Sequence, residues 1–139
     1  MSHFISPLWQ SLSTGQWVLL ILMLIAAISP YIASYRHKTS LALATTISIL
    51  LVYVVQTLTW LIWWMGFGSM SPIDCLIAYP GQLFHAAEWH RFISAAWIHH
   101  PRDITHVLGN ALIIALVGVP LEQRLGGKRF MIAYILAEF

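Results

Sequence analysis

Charged residues are scarce in this chain, and their scarcity excludes most classes of soluble protein. Only 9% of the 139 residues are Asp, Glu, Lys or Arg, whereas a soluble globular domain carries about 25%. The formal net charge of +2 is too small to indicate a nucleic-acid-binding surface. Hydrophobic residues make up 59% of the chain, and the mean hydropathy is +0.76. The composition therefore predicts an integral membrane protein.

Cysteine is almost absent, whereas histidine is common. Because Cys75 is the single cysteine, an internal disulfide is excluded. The seven histidines raise the question of a metal or haem site, which needs several imidazoles that converge on one point. His106 is the only one on a predicted membrane helix, and the other candidates lie in a loop. We therefore predict no metal and no cofactor, and a histidine-ligated membrane protein is kept only as an alternative.

Long uncharged runs indicate where the chain crosses the bilayer. As helices, residues 17–35, 41–65 and 104–121 would reach roughly 28, 37 and 27 Å, against a hydrocarbon core of about 30 Å. A fourth apolar run begins at Phe130 and covers only about 15 Å by Phe139. A helix cannot end in hydrocarbon with its last carbonyls unpaired. We expect an all-α, polytopic membrane helical bundle that is truncated in its fourth helix, as the N-terminal part of a longer protein.

Basic residues predict how these helices are oriented, because short cytoplasmic loops carry an excess of Lys and Arg. The stretch 66–103 has more acidic than basic residues. Two short basic loops flank it, and their residues are Arg36 and Lys38 in the first and Arg124, Lys128 and Arg129 in the second. We therefore predict that the chain begins outside, places both basic loops inside and holds residues 66–103 outside.

This orientation is testable by cysteine accessibility. In a variant that lacks Cys75, the substitutions Gln82→Cys and Gln123→Cys probe the predicted outer and inner loops. An impermeant thiol reagent applied to intact cells is expected to label the cysteine at position 82 only. Labelling at position 123 alone would reverse the predicted orientation.

The predicted outer loop is too apolar for a simple solvated connection. Apolar residues recur at positions 89, 92, 93, 96 and 97, which is close to helical spacing. This pattern predicts an amphipathic helix over residues 89–99 that lies in the membrane surface. Arg91 falls within it, and we expect its guanidinium to hydrogen-bond carbonyl groups of the surrounding loop.

Two polar side chains stand at the start of the third predicted membrane helix. His106 and Asn110 are four residues apart, so a helix presents them on one face. Polar groups in hydrocarbon cost free energy unless they are satisfied, and such groups indicate a functional site. The two residues alone leave open a second interpretation, in which they form an interhelical hydrogen bond that only holds helices together.

The order and spacing of several motifs resemble the first half of a rhomboid intramembrane serine protease. The resemblance covers roughly residues 41–134, and the run 17–35 would be an additional helix ahead of the six-helix core. Ser94 stands where the family commonly has Thr, a change that keeps the hydroxyl. The motifs are Glu88-Trp89-His90-Arg91-Phe92-Ile93-Ser94, Trp97-Ile98-His99, His106-Val107-Leu108-Gly109-Asn110, Leu121-Glu122-Gln123-Arg124-Leu125-Gly126, Arg129-Phe130 and Tyr134.

The resemblance implies a division of the chain and a set of site residues. Residues 1–38 would form the extra helix and a basic loop, and residues 39–139 the N-terminal half of a rhomboid-like core. His106 and Asn110 match the pair that supports the oxyanion beside the nucleophile. The positions that match structural residues of the loop and turn are Trp89, Arg91, Glu122 and Gly126. The implied substrates are transmembrane segments of other proteins, cleaved within the lipid bilayer of the cell membrane.

The catalytic dyad of the family is missing from this sequence. The family's nucleophile is a serine in a Gly-x-Ser-Gly loop, and its base is a histidine on a later helix. The nearest match, Gly66-Phe67-Gly68-Ser69-Met70, precedes the His106 helix instead of following it. A serine without a positioned base is a poor nucleophile. We therefore predict that residues 1–139 alone are inactive, and a non-catalytic rhomboid-like protein such as a derlin remains the alternative.

Overall fold

The computed structural model describes residues 13–67, 73, 76, 90–100 and 102–137, with Phe67 and Phe92 described by their backbone alone. In this part of the chain all regular elements are helical. Trp89, Ser69 and the last two residues of the fourth predicted helix lie outside the described residues.

The first two helices form an antiparallel hairpin. Helix α1 spans Thr14–His37 and helix α2 spans Leu41–Ile62. Lys38 ends α1 in a left-handed conformation, with φ of 52°, and the Ser40 hydroxyl caps α2 by accepting a hydrogen bond from the Leu43 N–H. Two side-chain bonds join the helices: Tyr31 donates to the Thr45 hydroxyl over 3.0 Å, and Ser48 donates to the Ala27 carbonyl over 2.7 Å.

Helix α3 spans His90–Ala95 and is shorter than the helix predicted over residues 89–99. Tertiary hydrogen bonds hold the end of α3 and the segment that follows it. The Ser94 hydroxyl donates to the carbonyl of Leu76 over 2.6 Å, and the Tyr134 hydroxyl donates to the carbonyl of Ala96 over 2.8 Å. The segment after α3 is therefore fixed by bonds to other parts of the fold, and it runs in an irregular conformation towards the next helix.

Helix α4 covers Ile104–Leu125 and contains a wider turn of π-helix at Ile114–Gly118. Pro120 follows this turn, and proline has no N–H to donate to the carbonyl four residues earlier. Such a missing bond favours a local π-bulge. The helix extends past Leu121, where the sequence predicted its end, so Glu122 lies in the helix and not in the turn. The chain turns at Gly126, whose φ of 82° favours glycine.

Helix α5 spans Gly127–Ala137 and packs against α2 and α4 in the main apolar core. Gly118 makes this packing close, because a Cβ atom there would lie 3.2 Å from the Cβ of Ala42 and 3.0 Å from the ring of Phe130. Small residues at a helix contact are typical of membrane helices, whose association depends on close packing.

Three of the described helical segments are long and apolar enough to cross a membrane, namely Thr14–His37, Leu41–Gly66 and Ile104–Leu125. Their lipid-facing sides carry many exposed apolar side chains. The prediction of an all-α membrane helical bundle is confirmed, and the chain is an integral membrane protein.

Candidate functional site

The first turn of α4 carries the polar pair identified in the sequence. Asp103 caps this turn, because its carboxylate accepts a hydrogen bond of 3.0 Å from the N–H of His106. One turn later the Asn110 amide nitrogen lies 3.1 Å from Nε2 of His106. Helical periodicity therefore brings the two side chains together, as the sequence predicted. His106 is exposed and Asn110 is partly buried.

His99 joins this pair from the segment that follows α3. Its Nε2 lies 3.3 Å from the same Asn110 nitrogen, and its ring centroid lies 5.5 Å from that of His106. The sequence placed His99 in a motif of the family but did not predict its contact with Asn110. The polar site thus consists of His99, His106 and Asn110, and the amide of Asn110 lies between the two rings.

The acceptor beside Nδ1 of His99 favours one tautomer of that ring. Nδ1 of His99 lies 3.1 Å from the carbonyl oxygen of Trp97, and a carbonyl oxygen only accepts, so Nδ1 must be the protonated nitrogen. In the neutral ring Nε2 is then an acceptor for Asn110. His106 also accepts at Nε2 in this arrangement. Each hydrogen of the Asn110 amide therefore has its own acceptor.

The side chain of Gln56, in α2, binds the backbone of His99. The side-chain amide nitrogen of Gln56 donates to the carbonyl of His99, and its oxygen accepts from the N–H of His99 over 3.1 Å. Gln56 is completely buried, with 0% of its surface exposed. Sequence analysis missed this residue, although a glutamine within an uncharged membrane helix is itself a signal of a polar contact.

Three of the residues predicted to be structural are described, and two of them lie far from this site. Arg91 is buried in α3, with 1% of its surface exposed. Glu122 and Gly126 lie at the opposite end of α4. The Glu122 carboxylate accepts three hydrogen bonds from the start of α2, given by the Ser40 hydroxyl and by the N–H groups of Leu41 and Ala42, over 2.5, 2.9 and 2.8 Å. Glu122 thus ties the C-terminal end of α4 to the N-terminus of α2.

An apolar cavity of about 660 Å³ lies elsewhere, between α1, α2 and the α3 segment. Its lining includes none of His99, His106 and Asn110. Across the described ranges, no group of three or more His, Cys, Asp and Glu side chains is arranged to hold a metal ion. The polar site at the start of α4 is therefore the best candidate for a chemical role. It brings an amide donor and two imidazole rings together at an exposed face of a membrane helix.

Comparison with known proteins gives one family match. The model of the Rhomboid domain matches residues 86–139, which include α3, the His99 segment, α4 and α5. No curated protein and no solved structure gives a significant match. The match covers the polar site and the resembling motifs from Glu88 onwards. Residues 86–139 of this membrane protein are therefore similar to a rhomboid domain.

Proposed function

We propose that this chain supplies the oxyanion-supporting half of a rhomboid-type intramembrane serine endopeptidase. The observation that carries the proposal is the position of the Asn110 amide, which lies between His99 and His106 at the start of a membrane helix. The proposal assigns neither the nucleophilic serine nor the histidine base to residues 1–139, because these residues contain no Gly-x-Ser-Gly motif.

The chemistry required of Asn110 is the stabilisation of negative charge. When a serine attacks a peptide carbonyl, the carbonyl oxygen becomes an oxyanion. An N–H donor that is already positioned in a water-poor site stabilises this oxyanion more than it stabilises the substrate carbonyl, and one such donor contributes about 2.7–4 kcal/mol. Asn110 carries an amide donor in the second turn of α4, with His106 beside it on the exposed face.

The substrates that fit this proposal are transmembrane segments of other membrane proteins. Helix α4 carries the polar pair in its first two turns and is apolar over residues 111–121 that follow. A peptide bond would reach Asn110 from the exposed side of α4, near the end of the helix that is predicted to lie outside. The cell membrane is the proposed location, and Arg91, Glu122, Gly126 and Trp89 are proposed to have structural roles.

Active-site labelling tests this proposal. Residues 1–139 alone are expected to cleave no transmembrane substrate and to show no labelling by a serine-directed fluorophosphonate. The same residues joined to the serine- and histidine-bearing helices of a rhomboid core are expected to be labelled at that serine and to cleave the substrate.

Two results would contradict the proposal. Labelling of any serine within residues 1–139, including Ser69 or Ser94, would put a nucleophile inside this chain. A folded joined protein that neither reacts with the fluorophosphonate nor cleaves a substrate would favour the non-catalytic, derlin-like alternative.

A further inference from the structure

We infer that Gln56 is a positioning residue, which acts through His99 to hold the Asn110 amide in its donating orientation. The inference rests on the proposed function, in which Asn110 supports the oxyanion. It concerns a buried side chain of α2 that is 43 residues from His99 in sequence. No motif of the sequence assigns a role to Gln56.

The orientation of the Gln56 amide is fixed by its partners. A backbone N–H only donates and a backbone carbonyl only accepts, so the Gln56 oxygen must face the His99 N–H and its nitrogen must face the His99 carbonyl. Both polar groups of the His99 backbone are thereby satisfied by one side chain. Because Gln56 is fully buried, water does not compete for these bonds, and breaking them would leave buried polar groups unpaired.

The His99 ring transmits this constraint to Asn110. Its Nδ1–H donates to the carbonyl of Trp97, which is two residues earlier, and this bond sets the orientation of the ring. Its Nε2 then has its lone pair directed at the Asn110 amide nitrogen, 3.3 Å away. A chain of hydrogen bonds therefore runs from the middle of the fold, through Gln56 and His99, to Asn110.

The two hydrogens of the Asn110 amide are not equivalent in this arrangement. One is held by His99, which is partly buried and has its backbone fixed by Gln56. The other is held by His106, which is exposed. The N–H on the His106 side can donate its hydrogen bond to a developing oxyanion instead of to His106. The hydrogen bond on the His99 side keeps the amide from rotating. His99 is thus the fixed acceptor and His106 the exchangeable one.

Nuclear magnetic resonance of residues 1–139 in detergent tests the structural part of this inference without any activity. Gln56→Met keeps the approximate size of the side chain and removes both hydrogen bonds. It is expected to shift the side-chain amide signals of Asn110 and to abolish the contact between these hydrogens and the His99 ring. His99→Phe keeps a ring and removes its nitrogens, and it is expected to shift the same Asn110 signals.

Thr57→Val is the matched control. Thr57 is next to Gln56 in α2, and its buried hydroxyl has no hydrogen-bond partner among the described residues. This substitution is expected to leave the Asn110 signals in place. Asn110 signals that are unchanged in both Gln56→Met and His99→Phe would overturn the inference, as would an Nε2–H tautomer of His99 in the wild-type chain.

Turnover in the joined protein tests the functional part. Gln56→Met is expected to lower kcat about tenfold with little change in KM, because small displacements of a catalytic group are costly. Added to Asn110→Ala, it is expected to have no further effect on kcat. If the two substitutions lowered kcat additively, the positioning role would be overturned, because Gln56 would then act independently of Asn110. If Asn110→Ala alone leaves kcat unchanged, the oxyanion proposal fails, whereas the resonance experiment still decides whether Gln56 positions Asn110.

Discussion

Asn110→Ala is expected to lower kcat about 10²–10³-fold in the protein that joins residues 1–139 to the serine- and histidine-bearing helices. The amide interacts with charge that develops only in the transition state, so KM should change little. His106→Ala is expected to lower kcat as well, because it removes the second polar side chain on the exposed face of α4. The measurement is the rate of substrate cleavage as a function of substrate concentration in detergent or liposomes.

Leu112→Ala serves as the control for this prediction. Leu112 lies on the same helix as Asn110, and 58% of its surface is exposed, so its truncation should leave kcat close to that of the wild type. A variant with Asn110→Ala that keeps full turnover but unfolds more easily would contradict the oxyanion assignment. That outcome would favour the alternative interpretation, in which His106 and Asn110 only hold helices together.

Glu122→Ala is expected to lower the free energy of unfolding by about 2–4 kcal/mol, since hydrogen bonds to a charged group are among the stronger ones. The substitution removes an acceptor for the Ser40 hydroxyl and for two N–H groups in the first turn of α2. It also removes a negative charge from a helix N-terminus, where such a charge is stabilising. Equilibrium unfolding of residues 1–139 in mixed micelles, followed by circular dichroism, measures the change.

Two further variants make the Glu122 prediction specific. Glu122→Gln keeps one acceptor oxygen and places an NH₂ group against backbone donors, so about half of the loss is expected. Gln123→Ala alters the adjacent, exposed residue of α4 and should change stability by less than about 0.5 kcal/mol. Equal stability of the Glu122→Ala variant and the wild type would refute a structural role for this carboxylate.

The fold class and the polar pair follow from local features of the sequence. The uncharged runs are long enough to span a bilayer, and a membrane helix must satisfy its backbone internally, so length and hydropathy specify the helices. The proximity of His106 and Asn110 is a consequence of helical periodicity alone. The position of Asp103 before this helix is likewise a local capping arrangement.

The remaining features were decided by contacts between residues that are distant in sequence. Glu122 was assigned to a turn, but it lies in α4 and accepts hydrogen bonds from the start of α2, about 80 residues earlier. The helix predicted over residues 89–99 ends at Ala95, and beyond it the backbone bonds to other parts of the fold, at Ala96 to the Tyr134 hydroxyl and at His99 to the Gln56 amide. Local periodicity cannot anticipate such bonds.

The sequence by itself determined that this is a helical membrane protein with a histidine and an asparagine on one face of α4. Only the tertiary structure decided that His99 completes the site and that Gln56 holds His99. The physical reason is that side chains four residues apart on a helix meet whatever the rest of the chain does. An irregular segment has no such rule, and its position depends on which buried donors and acceptors the packed helices offer it.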